Sequence, residues 1–197
     1  MNLIKVIVPG ICFLSMHVLT FMTKLDACVV IVPYDPKWAI WYEAESRLIR
    51  EAFDSKRIMA IEHFGSTSVR GLSAKPVVDI LVGLNRFEVT ESEKKALADL
   101  GYIFIEQSSY CQRFYFKKQG ERSFNLSLVL FSGATWHDCI DVRDYLRASP
   151  TEAHNYVLIK QAAISNGCTK ISEYSKYKFK FIKTLLANAK SWRCSTK

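Results

Sequence analysis

The sequence predicts an α+β fold, a mixed β-sheet with helices before, within and after it. Three observations predict it. A nearly unbroken apolar run over 76–84 has the character of a central strand. Three further strand-like runs follow in succession, at 102–107, 111–118 and 123–131. Segments with helical spacing and clear start signals flank them on both sides. At 197 residues, 49% apolar and 23% charged, the chain suits one domain whose core needs neither disulfide nor metal. The same composition excludes a disordered chain, a coiled coil, a collagen-like repeat and a polytopic membrane protein.

Residues 1–28 read as a hydrophobic N-terminal extension. Lys5 precedes an apolar stretch, Val6 to Met22, which as a helix would span about 25 Å, short of the roughly 30 Å hydrocarbon core. Stable membrane insertion is therefore not expected. A signal-like segment is one reading, and Leu25-Asp26-Ala27-Cys28 resembles a lipoprotein cleavage box. Against export, Lys24 and Asp26 put charges where such a box takes small neutral residues. An upstream extension ahead of a true start at Met22, or an appendage packed on the domain, are the other readings. The folded domain is expected over 29–190, in the cytoplasm, with 191–197 as a basic tail.

Val29 to Tyr34 is a β-branched run expected to be a strand or an extended lead-in. Asp35-Pro36 has the form of an N-cap with Pro at the first helical position, and Trp38, Trp41, Ala44, Leu48 and Ala52 continue at helical spacing to residue 54. Arg57 to Phe64 reads as a strand broken by Gly65-Ser66-Thr67-Ser68. Thr90 with Glu93 forms a capping box for a helix to about Leu100, closed by Gly101. Helices are expected over 135–148 and 150–165, the second capped by Ser149 with Pro150 and Glu152 in its first turn. The last, about 171–190, carries Ile171, Tyr174, Tyr177, Phe181, Leu185 and Ala189 on one face.

The net charge of +8 is concentrated at the C-terminus, where residues 170–197 carry eight basic side chains and one acid. A solvated helix face explains this; an anionic partner such as a nucleotide, RNA or acidic lipid is the functional reading. The six cysteines contain no C-x-x-C pair, so reduced thiols are expected rather than a zinc site or a disulfide framework.

The chemistry is concentrated in Glu62-His63-Phe64-Gly65-Ser66-Thr67-Ser68-Val69-Arg70-Gly71-Leu72-Ser73-Ala74-Lys75-Pro76-Val77-Val78-Asp79-Ile80. A Gly-Ser step after a strand lets the backbone approach a phosphate closely, and a helix starting there would aim N–H groups at it. Asp79 is an ionisable residue in an apolar strand, which points to a site or a buried partner. A metal-binding carboxylate beside a phosphate cradle is what phosphoryl-transfer sites use.

These words, with Val32-Pro33-Tyr34-Asp35-Pro36-Lys37-Trp38, Arg143-Asp144-Tyr145-Leu146-Arg147, Pro150, Tyr156…Lys160 and Tyr174…Lys178…Phe181-Ile182, resemble the GrpB-like family, a branch of the nucleotidyltransferase superfamily. The resemblance covers about four-fifths of the chain. It implies the nucleotidyltransferase fold, with the site after Gly65-Ser66. It also implies Mg²⁺ at Asp79, with Glu62 as a further candidate ligand, and a nucleotide or other phosphate ligand held by Gly65, Ser66, Thr67, Ser68, Lys75, Arg143, Arg147, Lys160 and Lys178. Five positions depart from the pattern. The second acid of a two-metal site is replaced by Leu81, and the later strand offers Asn125 and Ser127 instead of a third acid. Arg70 stands where the family usually has Pro, and Ser149 where it has His.

Two functions of different class follow: Mg²⁺-dependent nucleotidyl or phosphoryl transfer with Asp79 as the catalytic carboxylate, or a degenerate fold kept as a nucleotide-sensing or protein-interaction module. RNA binding through the basic helix is a minor alternative. His63 is either a base or a hydrogen-bonded strand histidine. His137 and Asp141 have the spacing of helical metal ligands, which chance also gives. Tyr102, Phe104, Tyr110, Phe114, Tyr115 and Phe116 read mainly as core.

Overall fold

A computed structural model describes residues 29–108, 111–168 and 170–196. Expectations for the first 28 residues and for Tyr110 lie outside the described residues. Five strands form one mixed sheet, joined by five α-helices among the described residues. In chain order these are α1 (Lys37–Glu51), β1 (Ile58–Phe64), a 3-10 turn (Ser66–Ser68), β2 (Val77–Leu84), α2 (Glu91–Asp99), β3 (Ile103–Ser108), β4 (Arg113–Lys118), β5 (Ser123–Leu130), α3 (Ala134–Ala148), α4 (Pro150–Ser165) and α5 (Ile171–Ser195).

The helix signals act as their chemistry requires. The Asp35 carboxylate accepts the Lys37 N–H at 2.9 Å, so it caps α1, with Pro36 as the junction residue. Thr90 and Glu93 close the capping box of α2 from both sides. Ser149 caps α4, with Pro150 in its first turn. Val29 to Tyr34 is the extended lead-in rather than a strand, with a single bridge from Val32 to Ala74. Two features differ from expectation. A short 3-10 turn, not a helix, follows Gly65. And α5 runs through the expected tail to Ser195, because its last turns dock on α3: Arg193 donates to Asp141 (2.8 Å) and Asp144 (2.7 Å), and Trp192 packs against Tyr145.

The sheet order is β1-β2-β5-β4-β3, with β2 and β5 parallel at the centre and the other neighbours antiparallel. Strand alternation then separates two faces. Val78, Ile80, Val82, Phe124, Leu126, Leu128, Phe114 and Phe116 form the main core with Trp38 and Ile49 of α1 and Leu97 of α2. On the other face, Leu81 and Val129 pack under Trp136 of α3. Gly83 permits that approach, since a Cβ there would lie 2.8 Å from both Trp136 and Phe131. Helices α3, α4 and α5 form a second core with Val69 and Leu72, centred on Leu146, Tyr156 and Leu185. The second face is thus apolar under α3 but polar at the sheet end where β1 finishes and β2 and β5 begin.

Candidate functional site

That polar end is a cavity of about 250 Å³ lined by Gly65, Ser66, Thr67, Lys75, Asp79, Tyr115, Lys117, Asn125, Tyr156, Lys160, Tyr174 and Lys178, among others. Register explains how distant residues meet there. Asp79 pairs with Asn125 across the parallel β2–β5 ladder, and Asn125 pairs with Lys117 across β5–β4. Asn125 links two neighbours, donating to Asp79 Oδ1 at 2.7 Å and accepting the Tyr115 hydroxyl at 2.9 Å.

Gly65 closes the cavity floor in a conformation suited to glycine, with φ +69° and ψ −171°. A Cβ on it would collide with the Asp79 carboxylate. The backbone therefore lies directly against the acid. Burial raises the Asp79 carboxyl above the usual carboxylate range, opposed by the Asn125 hydrogen bond and the charges of Lys75 and Lys178.

Lysines dominate the remaining surface. Among the described residues, four of them and a single carboxylate line the cavity. Lys160 is 1% exposed; its ammonium donates to the Ser73 carbonyl and lies 3.4 Å from Ser66 Oγ. Burial and the charge of Lys178 push it down to about 7. Lys75, Lys117 and Lys178 are also lowered, in each case chiefly by burial. Tyrosine faces accompany three of these cations: Lys160 lies 4.5 Å from the Tyr156 ring centroid, Lys178 4.2 Å from Tyr174 and Lys117 5.5 Å from Tyr115. A ring quadrupole steadies a cation without neutralising it. The charge stays available to an anion.

The expected phosphate residues divide. Gly65, Ser66, Thr67, Lys75, Lys160 and Lys178 come together in the cavity; Ser68, Arg143 and Arg147 do not. Ser68 spends its hydroxyl on the Gly65 carbonyl at 2.7 Å. Arg147 donates to the Ser68 carbonyl from the far side of the turn (3.0 Å). Arg143 is tied to Glu62 (2.6 Å) and Asp144 (2.9 Å). Thr67 lines the cavity but its hydroxyl lies 2.9 Å from His63 Nε2. His63 itself belongs to the opposite face, stacked on Tyr42, where burial and then the charges of Arg147 and Arg143 lower it to about 4. Asp141, of the His137–Asp141 pair, is bound to Arg193. Lys117 and Tyr115 were absent from the expected set; the alternation Arg113, Tyr115, Lys117 along β4 is the signal that places them on one face.

The family resemblance implies a pair of Mg²⁺ ions, and these donors do not fit a pair. Two ions need several carboxylates between them, with waters and substrate oxygens completing octahedral geometry. Here Asp79 stands among ammonium groups, the position of the second acid is Leu81 in the core under Trp136, and Glu62 is held by Arg143. Among the described residues no three His, Cys, Asp or Glu side chains gather as a metal site.

The lysines also set a pH dependence. A folded-state pKa below the unfolded value means that the unfolded chain binds more protons, so stability rises with pH. For Lys160 that window opens near pH 7 and extends toward its ordinary 10.5. Denaturant melts of the empty protein should show stability climbing from pH 7 to about 9.5, with a bound phosphate flattening the climb. His63 adds a separate loss as pH falls from 6.5 towards 4. A flat profile above pH 7 without phosphate would contradict the buried-lysine account.

Comparison with known proteins agrees with this architecture. A family model described as GrpB protein matches residues 28–188. The chain is 30% identical over 166 residues to the UPF0157 protein YqkA of Bacillus subtilis, which covers 84% of this chain and 48% of that protein. The chain thus spans about half the length of that relative. It is 26% identical to the glutamate-rich protein GrpB of Alkalihalophilus pseudofirmus over 80% of this chain and 94% of the other. The crystal structure of the conserved protein GrpB from Enterococcus faecalis superposes with a TM-score of 0.75 at 26% identity, covering 83% of this chain and 99% of that one. Among the described residues no helix is long and apolar enough to cross a membrane.

Proposed function

The chain belongs to the GrpB family, whose fold is nucleotidyltransferase-like, and on that footing we propose that its lysine-lined cavity binds a phosphate-bearing anion, a nucleotide or another phosphate ester, without a divalent cation. The carrying observation is the charge of the cavity: among the described residues, Lys75, Lys117, Lys160 and Lys178 stand against Asp79 alone. Lysines brought together against burial and mutual repulsion cost stability in the empty protein, and a bound phosphate offsets that cost. Ser66 supplies a hydroxyl beside Lys160, and Gly65 allows close backbone approach. The function this supports is binding rather than two-metal group transfer, because the second and third carboxylates of that chemistry are replaced by Leu81 and by Asn125 and Ser127.

Thermal melts with inorganic phosphate, pyrophosphate, AMP and ATP, each in EDTA and again in Mg²⁺, test the reading. A ligand at about 100 times its Kd should raise the midpoint by about 5–10 °C. The shift is expected in EDTA and should not grow with Mg²⁺. Stabilisation that appears only with Mg²⁺ would restore the metal-dependent alternative, and no shift with any anion would sink the proposal.

A further inference from the structure

On the other side of the Gly65-Ser66 turn lies a second cavity, also about 250 Å³. Its walls are Phe64, Val142, Leu146, Ile182, Leu186 and the ring of Tyr156. Gly65, Ser66 and Tyr156 line both spaces, so a cationic chamber and an apolar slot adjoin at one turn. We infer that the two are halves of one site, and that the ligand is a phosphate ester whose anionic head sits among the lysines and whose short alkyl or aryl body fills the slot.

The slot's polar groups argue against a nucleobase there. Reading a base edge requires donors and acceptors free to face it. Arg143 is already committed to Glu62 and Asp144, and Asp138 accepts Lys190 at 2.6 Å. Cys139 is neutral, its thiol pushed up to about 12 by burial. What the slot offers is aliphatic surface with the aromatic side chains of Phe64 and Tyr156, the latter stacked on Phe181 at 5.5 Å. Such a surface rewards apolar area and distinguishes ligands by length and width.

The inference rests on the anion reading of the lysine cavity, and the experiment separates the two. Affinities for inorganic phosphate and for ethyl, butyl, hexyl and phenyl phosphate are measured by calorimetry in EDTA, beside AMP, GMP and CMP. Each methylene that enters the slot should strengthen binding by up to about fourfold, with a plateau once the slot is full. Leu186→Trp, which fills the slot, should abolish the length dependence; Leu186→Gln, a milder change on the partly buried face of α5, should weaken it should the Trp variant fail to melt cooperatively. If inorganic phosphate binds but chain length changes nothing, the slot is not a subsite and the lysine cavity stands alone. Length dependence that is undiminished in the Leu186 variants, or discrimination among AMP, GMP and CMP, likewise overturns the apolar-body inference. If phosphate itself does not bind, the anion reading falls and the slot inference with it.

Discussion

Gly65→Ala should lower stability by about 3 kcal/mol, or roughly 6–12 °C in the melting midpoint of a domain this size. Two costs combine. An alanine is strained at φ +69° and ψ −171°, and its Cβ would meet the Asp79 side chain, whose Cγ is 3.0 Å and Cβ 3.1 Å from the required position. Asp79 has little room to yield, because β2 is paired on both sides, with β1 and with β5. A double-mutant cycle with Asp79→Ala divides the costs, since truncating the acid removes the clash with its carboxylate but leaves the 3.1 Å approach to its Cβ and the backbone strain. Partial recovery is expected. Full recovery would mean that the backbone at Gly65 carries no strain of its own, and a neutral Gly65→Ala would contradict the close approach altogether.

Lys160→Met should weaken phosphate binding by roughly ten- to a hundredfold, the value of one charge-assisted hydrogen bond. Methionine keeps most of the side-chain volume within α4, so the fold should survive. The pH dependence is the more specific signature. With Lys160 at about 7, wild-type affinity should fall as pH rises through neutrality, because the ammonium loses its proton. The Met variant should lose that part of the profile. An unchanged affinity and an unchanged profile would remove Lys160 from the site.

Much of the fold is legible in local chemistry. The Thr90–Glu93 box and the Ser149 cap mark helix starts because their hydrogen bonds are made within one turn. The apolar run ending at Leu84 marks a strand because it is buried on both faces. The end of α5 was not legible in this way, since the Arg193 and Trp192 contacts reach α3 across about fifty residues of sequence. The site divides along the same line. Gly65, Ser66 and Asp79 belong to one local motif, and Lys160 and Lys178 follow from the family resemblance. Lys117 and Tyr115 enter only through the pairing of β4 with β5, a non-local event. Arg143 and Arg147 look like phosphate ligands in sequence, but their bonds to Glu62, Asp144 and the Ser68 carbonyl hold them outside the lysine cavity.

Asp79→Asn distinguishes a phosphate-bearing anion met by lysines from a metal held by the acid, because asparagine keeps the shape against Gly65 and can still accept from Asn125 while removing the negative charge. Calorimetric titration of the variant with inorganic phosphate in EDTA should show binding several-fold tighter than wild type, since a carboxylate in a cationic cavity repels the ligand. Loss of binding in Asp79→Asn would contradict the account and assign the carboxylate a direct role in holding the ligand or its metal.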